Sequence, residues 1–318
     1  MRNILITAIG GDIAQSAAKI VKNCFPQWRI YGVDKEARHG GRLFVDCFDI
    51  GPSAADARYI AWLRRFISEN NISYCLPMSE PELARLAELG EQDPLMPLLL
   101  WSGIKSVKIG CDKLATAEFI RTIGLPVPWT LLAEAAVVPP SFPCVFKLRR
   151  SSGSKSVYVC ENIDEVHFFR QRNPEAVVQE FLANTESEVT CAVFRSNSGE
   201  VSVLQLQRRL VGGFTGWAKV IEDRQVLLQC CRVAEALEVV GCFNVQLRLT
   251  DAGPRIFEIN PRLSSTLWMR YLAGFRDLVW MLQDVLGEPY TVYCPAKGLE
   301  MVRLQDAAVL SSNVSDKR

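Results

Sequence analysis

The stretch from Gly241 to Arg270, GCFNVQLRLTDAGPRIFEINPRLSSTLWMR, carries oxygen-bearing side chains at a spacing that could do chemistry. Phe243 to Leu249 alternates as a strand, Asp251-Ala252-Gly253-Pro254 supplies a turn, and Arg255 to Ile259 reads as the returning strand. Period-2 geometry puts Glu258 and Asn260 on one side of the second strand. A hairpin brings Gln246 toward them, with Arg262 one step further and a polar loop after it. Three oxygen donors with few carboxylates suit Mg²⁺, which usually shares its sphere with water and substrate phosphates. A plain hairpin with a wet face would alternate in the same way, so the upstream partners decide the reading.

Those partners appear in order. Asp112 caps a helix running to about Ile123, and Lys113 opens it. A cation at a helix N-terminus is locally unfavourable, which points to a phosphate nearby. Lys147 sits on an apolar strand, Pro143 to Arg150, and a partly buried lysine there needs an anion. Ser151 to Ser156 is a small-residue loop whose amides and hydroxyls can fold over phosphates, with Lys155 adding charge. It is no Walker loop, because the glycine–lysine spacing is absent and a strand follows. Val177 to Leu182 is a strand whose end could hold a flat heterocycle by its backbone. Glu188, a few residues on, could bind sugar hydroxyls. Val201 to Arg209 is a further strand, ending in Arg208-Arg209.

Stepping outward, 318 residues allow two or three modest domains. The chain is 49% hydrophobic and 22% charged, the composition of a soluble globular protein. A net charge of +1 gives no bulk electrostatic reason for nucleic acid or a membrane surface as partner. No apolar run reaches the roughly 18 residues of a membrane span, and the N-terminus reads as a strand rather than a signal peptide. Eleven scattered cysteines, without a C-x-x-C pair, fit reduced thiols in a cytoplasm.

Residues 1 to about 100 alternate strand and helix: a strand over Asn3 to Ala8, a helix over Ile13 to Asn23, and a strand over Arg29 to Val33. A short strand around Leu43 to Phe48, a helix from about Ala54 to Asn70 and a strand over Tyr74 to Pro77 follow. Such alternation implies a parallel sheet with ligands at its carboxyl ends. The turn Gly10-Gly11-Asp12-Ile13-Ala14 does not give G-x-G-x-x-G, and Asp12 would repel a pyrophosphate, so nicotinamide or flavin binding is disfavoured. Glu80 and Glu82 could still face a substrate, and solvated acids at a helix start would read in the same way. Further on, helices are expected over about Asp223 to Val239 and Phe275 to Leu286, and a last strand over roughly Lys297 to Leu304.

These pieces in this order resemble the ATP-grasp superfamily, closest to the large subunit of carbamoyl-phosphate synthase and related carboxylate–amine ligases. The resemblance rests on Asp112-Lys113, FKLRRSSGSKSV from Phe146 to Val157, VVQEFL from Val177 to Leu182, Glu188-Val189-Thr190, Arg208-Arg209, and GCFNVQLRL…FEINPR. It implies an α/β (α+β) fold class, an ATP-grasp fold with a preceding Rossmann-like α/β domain. The expected division is 1–105 for that domain, 106–185 for the small lobe and 186–318 for the lobe with the metal site. It further implies that Lys113, Lys147 and the loop residues Ser152, Gly153, Ser154 and Lys155 contact ATP phosphates. Gln179, Glu180, Phe181 and Leu182 would lie at the adenine and Glu188 at the ribose. Gln246, Glu258 and Asn260 would hold one or two Mg²⁺, or Mn²⁺. Arg262, with Arg208 or Arg209, would stabilise the transferring phosphoryl group. The expected partners are a small carboxylic acid and an amine, and a homodimer is compatible with the family. The loop has a single glycine, and Gln246 is an amide where many ligases carry an acid. A catalytically silent ATP-binding regulator is therefore the alternative reading.

Overall fold

The computed structural model describes residues 2–134, 136–151, 157–183 and 187–309. The first unit is built on a four-stranded parallel sheet. Its elements are β1 (Asn3–Ile6), α1 (Asp12–Cys24), β2 (Arg29–Asp34), β3 (Cys47–Ile50), α2 (Tyr59–Glu69), β4 (Tyr74–Leu76), α3 (Glu80–Leu86) and α4 (Gly103–Gly110). The strand order is β3-β2-β1-β4. α1 buries Ala14, Ala17, Ala18, Ile20 and Val21, the stripe that a 3.6-residue period places on one face. The strand expected around Leu43 to Phe48 forms later, as β3. Residues Gly40–Phe44 instead make a 3₁₀ turn, because His39 Nδ1 accepts from Gly41 N and the segment folds onto the β1 turn.

The second unit holds α5 (Lys113–Thr122), β5 (Thr130–Leu132), β6 (Cys144–Leu148), β7 (Val157–Cys160), α6 (Ile163–Arg172) and β8 (Ala176–Glu180). Its small antiparallel sheet has the order β5-β8-β6-β7. Cys144, Phe146, Val166, Ala176 and Val178 form its separate core.

The third unit contains β9 (Glu188–Arg195), β10 (Val201–Val211), β11 (Phe214–Ile221), α7 (Arg224–Leu237), β12 (Gly241–Thr250), β13 (Gly253–Asn260), α8 (Leu267–Leu272), α9 (Asp277–Leu286) and β14 (Glu300–Val302). Its sheet runs β13-β12-β9-β10-β11-β14, and β10 joins β11 through Gly212-Gly213, both at positive φ, as a two-residue hairpin turn demands. The polar loop expected after Arg262 gives way to α8. Arg270 of that helix is 1% exposed and pairs with Asp277 at 2.7 Å while bonding the Ser264 and Thr266 hydroxyls. The loop hydroxyls are thereby used to satisfy a buried guanidinium.

The two faces of the large sheet have different tasks. Odd-numbered residues of β9 and β12, including Val189, Cys191, Val245 and Leu247, pack with α7 residues in one core. Even-numbered residues share the other face in register, Thr190 beside Leu206 and Gln246. One end of this face is apolar: Ala192, Phe194, Leu204 and Cys242 join the core that also contains Ile4, Ile6, Ala17 and Val21. The other end is polar and carries the candidate site. Among the described residues, no helix is long and apolar enough to cross a membrane.

Candidate active site

On the polar end, β12 and β13 pair Gln246 with Glu258 and Asn244 with Asn260. The register then skips a residue, so Phe257 is the extra residue of a bulge. The three metal-site residues expected from the sequence thus share one face of adjacent strands. Thr190 Oγ1 donates to Asn244 Oδ1 at 3.1 Å. The Nδ2 groups of Asn244 and Asn260 are buried and have no hydrogen-bond partner among the described residues. Buried donors are rarely left alone, so they mark where a ligand's acceptors belong.

The small sheet supplies the cations. Lys147 of β6 is 5% exposed, donates to Gln179 Oε1 at 2.8 Å, and lies 5.8 Å from the centre of the Phe257 ring. Gln179 in turn donates to Thr130 Oγ1 at 2.8 Å, which fixes the amide's orientation. Burial pulls the Lys147 ammonium down to about 8 against the attraction of Glu258, and nearby Lys113 adds to the fall. Lys113, also buried, donates to the Ser151 carbonyl at 2.7 Å. Asp112 caps α5 by accepting from the Leu114 and Ala115 amides. Burial pushes the Asp112 carboxyl up, but the bonds from Arg149 and Ala115 outweigh it and leave it below its ordinary value. The expected phosphate-loop residues Ser152, Gly153, Ser154 and Lys155 lie outside the described residues.

A second cluster is already paired within the protein. Glu188 Oε1 accepts from Arg208 at 2.9 and 2.7 Å, and Oε2 accepts from Arg248 at 3.3 Å. Arg208 also donates to Gln246 Oε1 at 2.9 Å. Arg248 reaches the Leu182 carbonyl. Glu180 is clamped by both terminal nitrogens of Arg255 at 2.6 and 2.7 Å, and its backbone amide donates to the Trp129 carbonyl. Phe181 is half-buried at the strand's end. Arg209 is not brought to this cluster. Alternation along β10 turns it to the opposite face from Arg208, where it is exposed and lies 5.7 Å from the centre of the Trp217 ring. Arg248 and Arg255 were missed by sequence reading, although the even phase of β12 placed Arg248 on the Gln246 face.

Arg262 follows β13 and crosses to the first unit, donating to Glu80 Oε1 at 2.7 Å. Together they rim a cleft of about 400 Å³ at the carboxyl ends of β1, β2 and β4. Its floor holds Glu82, which is 3% exposed and accepts from Thr7 and Tyr59. Burial lifts the Glu82 carboxyl above its ordinary value, and those hydrogen bonds only partly oppose the shift.

Residues 172–307 match a family model described as "ATP-grasp in the biosynthetic pathway with Ter operon". A carbamoyl-phosphate synthase of Methanobrevibacter smithii is 22% identical over 206 residues, covering 60% of this chain and 55% of that protein. The chain therefore spans about half the length of that curated relative. A purK N5-carboxyaminoimidazole ribonucleotide synthetase, solved as an ADP complex, superposes with a TM-score of 0.76 at 19% identity, covering 94% of this chain and 80% of its own. An L-amino acid ligase from Bacillus licheniformis gives 0.72 at 16% identity, covering 90% and 74%. Residues 172–307 thus carry the ATP-grasp match, and the chain has the ATP-grasp fold with a preceding α/β unit. Within the superfamily it is similar to carbamoyl-phosphate synthase.

Proposed function

We propose that the protein is an ATP- and Mg²⁺-dependent ligase that joins a carboxylic acid to an amine through an acyl phosphate, releasing ADP and phosphate. The observation that carries this reading is the buried Lys147 of the small sheet, set 5.8 Å from the ring of Phe257, the residue before Glu258 on the large sheet, with Lys113 near it on α5. Phosphoryl transfer asks mainly for positioning and neutralised charge. Two ammonium groups on one side and a carboxylate with amide oxygens on the other supply that. Similarity to an ADP-bound synthetase and an L-amino acid ligase supports it. The donor set, one carboxylate beside Gln246 and Asn260, fits Mg²⁺ that also binds nucleotide phosphates and water. When bound, the ion would neutralise phosphate charge there. Arg208 and Arg262 would steady the transferring group, and the acyl phosphate would lose phosphate as the amine nitrogen bonds its carbonyl carbon.

The test is ADP release from Mg²⁺-ATP with a mixed pool of carboxylic acids and amines. Acid- and amine-dependent release is expected, and Glu258→Ala should lower it by at least about 100-fold. ATP binding without release in any pool would favour the silent regulator instead.

A further inference from the structure

Arg208 holds a positive charge against one of the three residues expected to meet a metal ion. Strand register builds the contact. Arg248 of β12 stands directly beside Glu188 of β9, and Gln246 beside Thr190. On the other side of β9, Gln207 of β10 stands beside Val189, which brings Arg208 level with Glu188. Alternation turns Arg208, Glu188, Gln246 and Arg248 to one face. Arg208 is 7% exposed, and its Nη2 bridges two residues, donating to Glu188 Oε1 at 2.7 Å and to Gln246 Oε1 at 2.9 Å. Nε adds a second bond to Glu188 Oε1 at 2.9 Å. Arg248 holds the other oxygen of Glu188.

The amide of Gln246 is neutral, so its oxygen brings no charge to offset a cation. A guanidinium stays protonated at any working pH, and this one is already bonded to that oxygen. A dication on the same oxygen would face Arg208 across a single atom, and like charges in a buried site repel with little screening. Moving Arg208 aside is costly as well. The Glu188 side chain is only 13% exposed and would keep just the 3.3 Å contact with Arg248. The neighbouring end of the site is built differently. Glu258 lies opposite Gln246 in register, and among the described residues both arginines of the cluster pair with Glu188 instead. Glu258 is thus a carboxylate that the cluster leaves to other cations, with the buried Asn260 two residues on.

Within the ligase reading above, on which this rests, we propose that the site takes a single Mg²⁺, at Glu258 and Asn260, and that Arg208 supplies at Gln246 the positive charge a second ion would bring. Gln246 is then the acceptor of a guanidinium and not a metal ligand. Glu188, bonded twice by Arg208, is a positioning residue for it. A fixed organic charge takes over part of the neutralisation of the nucleotide's phosphates from an exchangeable ion.

The experiment uses the full chain with Mn²⁺ and the non-hydrolysable analogue β,γ-methylene-ATP. Equilibrium dialysis reads bound Mn²⁺ and bound nucleotide as the excess in the protein chamber, and electron paramagnetic resonance reads whether two bound Mn²⁺ ions are spin-coupled. Wild type should hold one Mn²⁺ per bound nucleotide and show no coupled pair. Gln246→Ala removes no buried charge and should leave the ratio at one. Arg208→Gln should raise the ratio to two and bring in the coupled signal. A ratio of two in wild type, an ion lost in Gln246→Ala, or a ratio of one in folded Arg208→Gln would each overturn the proposal. If Arg208→Gln does not fold, wild type and Gln246→Ala decide it. Failure of the nucleotide to bind would overturn both the proposal and the ligase reading. One ion per nucleotide, with no ADP formed from any pool of acids and amines, would sink the ligase reading and uphold the single-ion site.

Discussion

Lys147 stands where opposing effects meet: burial removes its hydration, Glu258 draws the proton on, and Lys113 drives it off. Depression to about 8 means the free protein loses this charge just above neutrality. The value of kcat/KM for ATP reports the free enzyme, so it should fall as pH rises through about 8. Lys147→Arg keeps its charge throughout and should abolish that inflection, at some loss of fit to Gln179. The stability of the free protein runs the opposite way. The unfolded lysine stays charged up to 10.5 and the folded one only to about 8, so the unfolded chain binds more protons between them. Stability should therefore rise with pH across that window, by on the order of 3 kcal/mol in all, measurable by denaturant titration. Lys113, Lys147, Glu258 and Asn260 were legible in the sequence because a cap and a two-residue period fix where each points. The burial of Glu82 was not. Its neighbours Thr7 and Tyr59 are 75 and 23 positions away, and only the closed sheet brings them together.

Between elements, the approach of α4 to β13 positions the site. Ser102 donates to the Pro261 carbonyl at 2.8 Å, and Gly110 sits directly against Pro261. A Cβ there would lie 2.7 Å from Pro261 Cδ and 3.0 Å from the Ile259 carbonyl, and backbone cannot move aside cheaply. Gly110→Ala should lower stability by about 1–3 kcal/mol. It should also reduce turnover, because the segment displaced carries Asn260 and Arg262. Loss of melting temperature with unchanged kcat would show that this contact supports the fold alone. The strand pattern of the sequence captured β12 and β13 but not the bulge at Phe257, since a skipped residue leaves no mark on hydrophobic periodicity. Arg208-Arg209 show the same rule from the other side: adjacent residues on a strand cannot both face one ligand.

Across the whole molecule, the first and third units share one core, in which Ile4, Ile6 and Val21 cluster with Phe194, Leu204 and Met281. The small sheet has its own, built from Cys144, Phe146, Ala176 and their neighbours. A principal side-chain clamp between small sheet and large sheet is Arg255 on Glu180. Amides of β6 and β8 should thus exchange with solvent faster than those of β1, β9 and β12, and Mg²⁺-ATP should slow them selectively. Arg255→Ala should widen the difference and lower stability by about 1–3 kcal/mol, the scale of hydrogen bonds to a charged group. Equal exchange in both sheets would count against independent motion of the small unit. Strand–helix alternation foretold a parallel first sheet. It could not foretell that this sheet and the distant large one would bury their apolar faces in common.

That common core has a mechanical corollary. Arg303, on the segment after β14, donates to the Thr215 carbonyl and reaches Asp12 and the Ser265 carbonyl. It rivets the hairpin, the loop before α8 and the wall of the acidic cleft into one plate. With the first unit's cleft and Glu258 on the same plate, the separation between them is set when the chain folds. The molecule is then a vice with one fixed jaw: any movement of the small sheet leaves the cleft and the large sheet in the same relation.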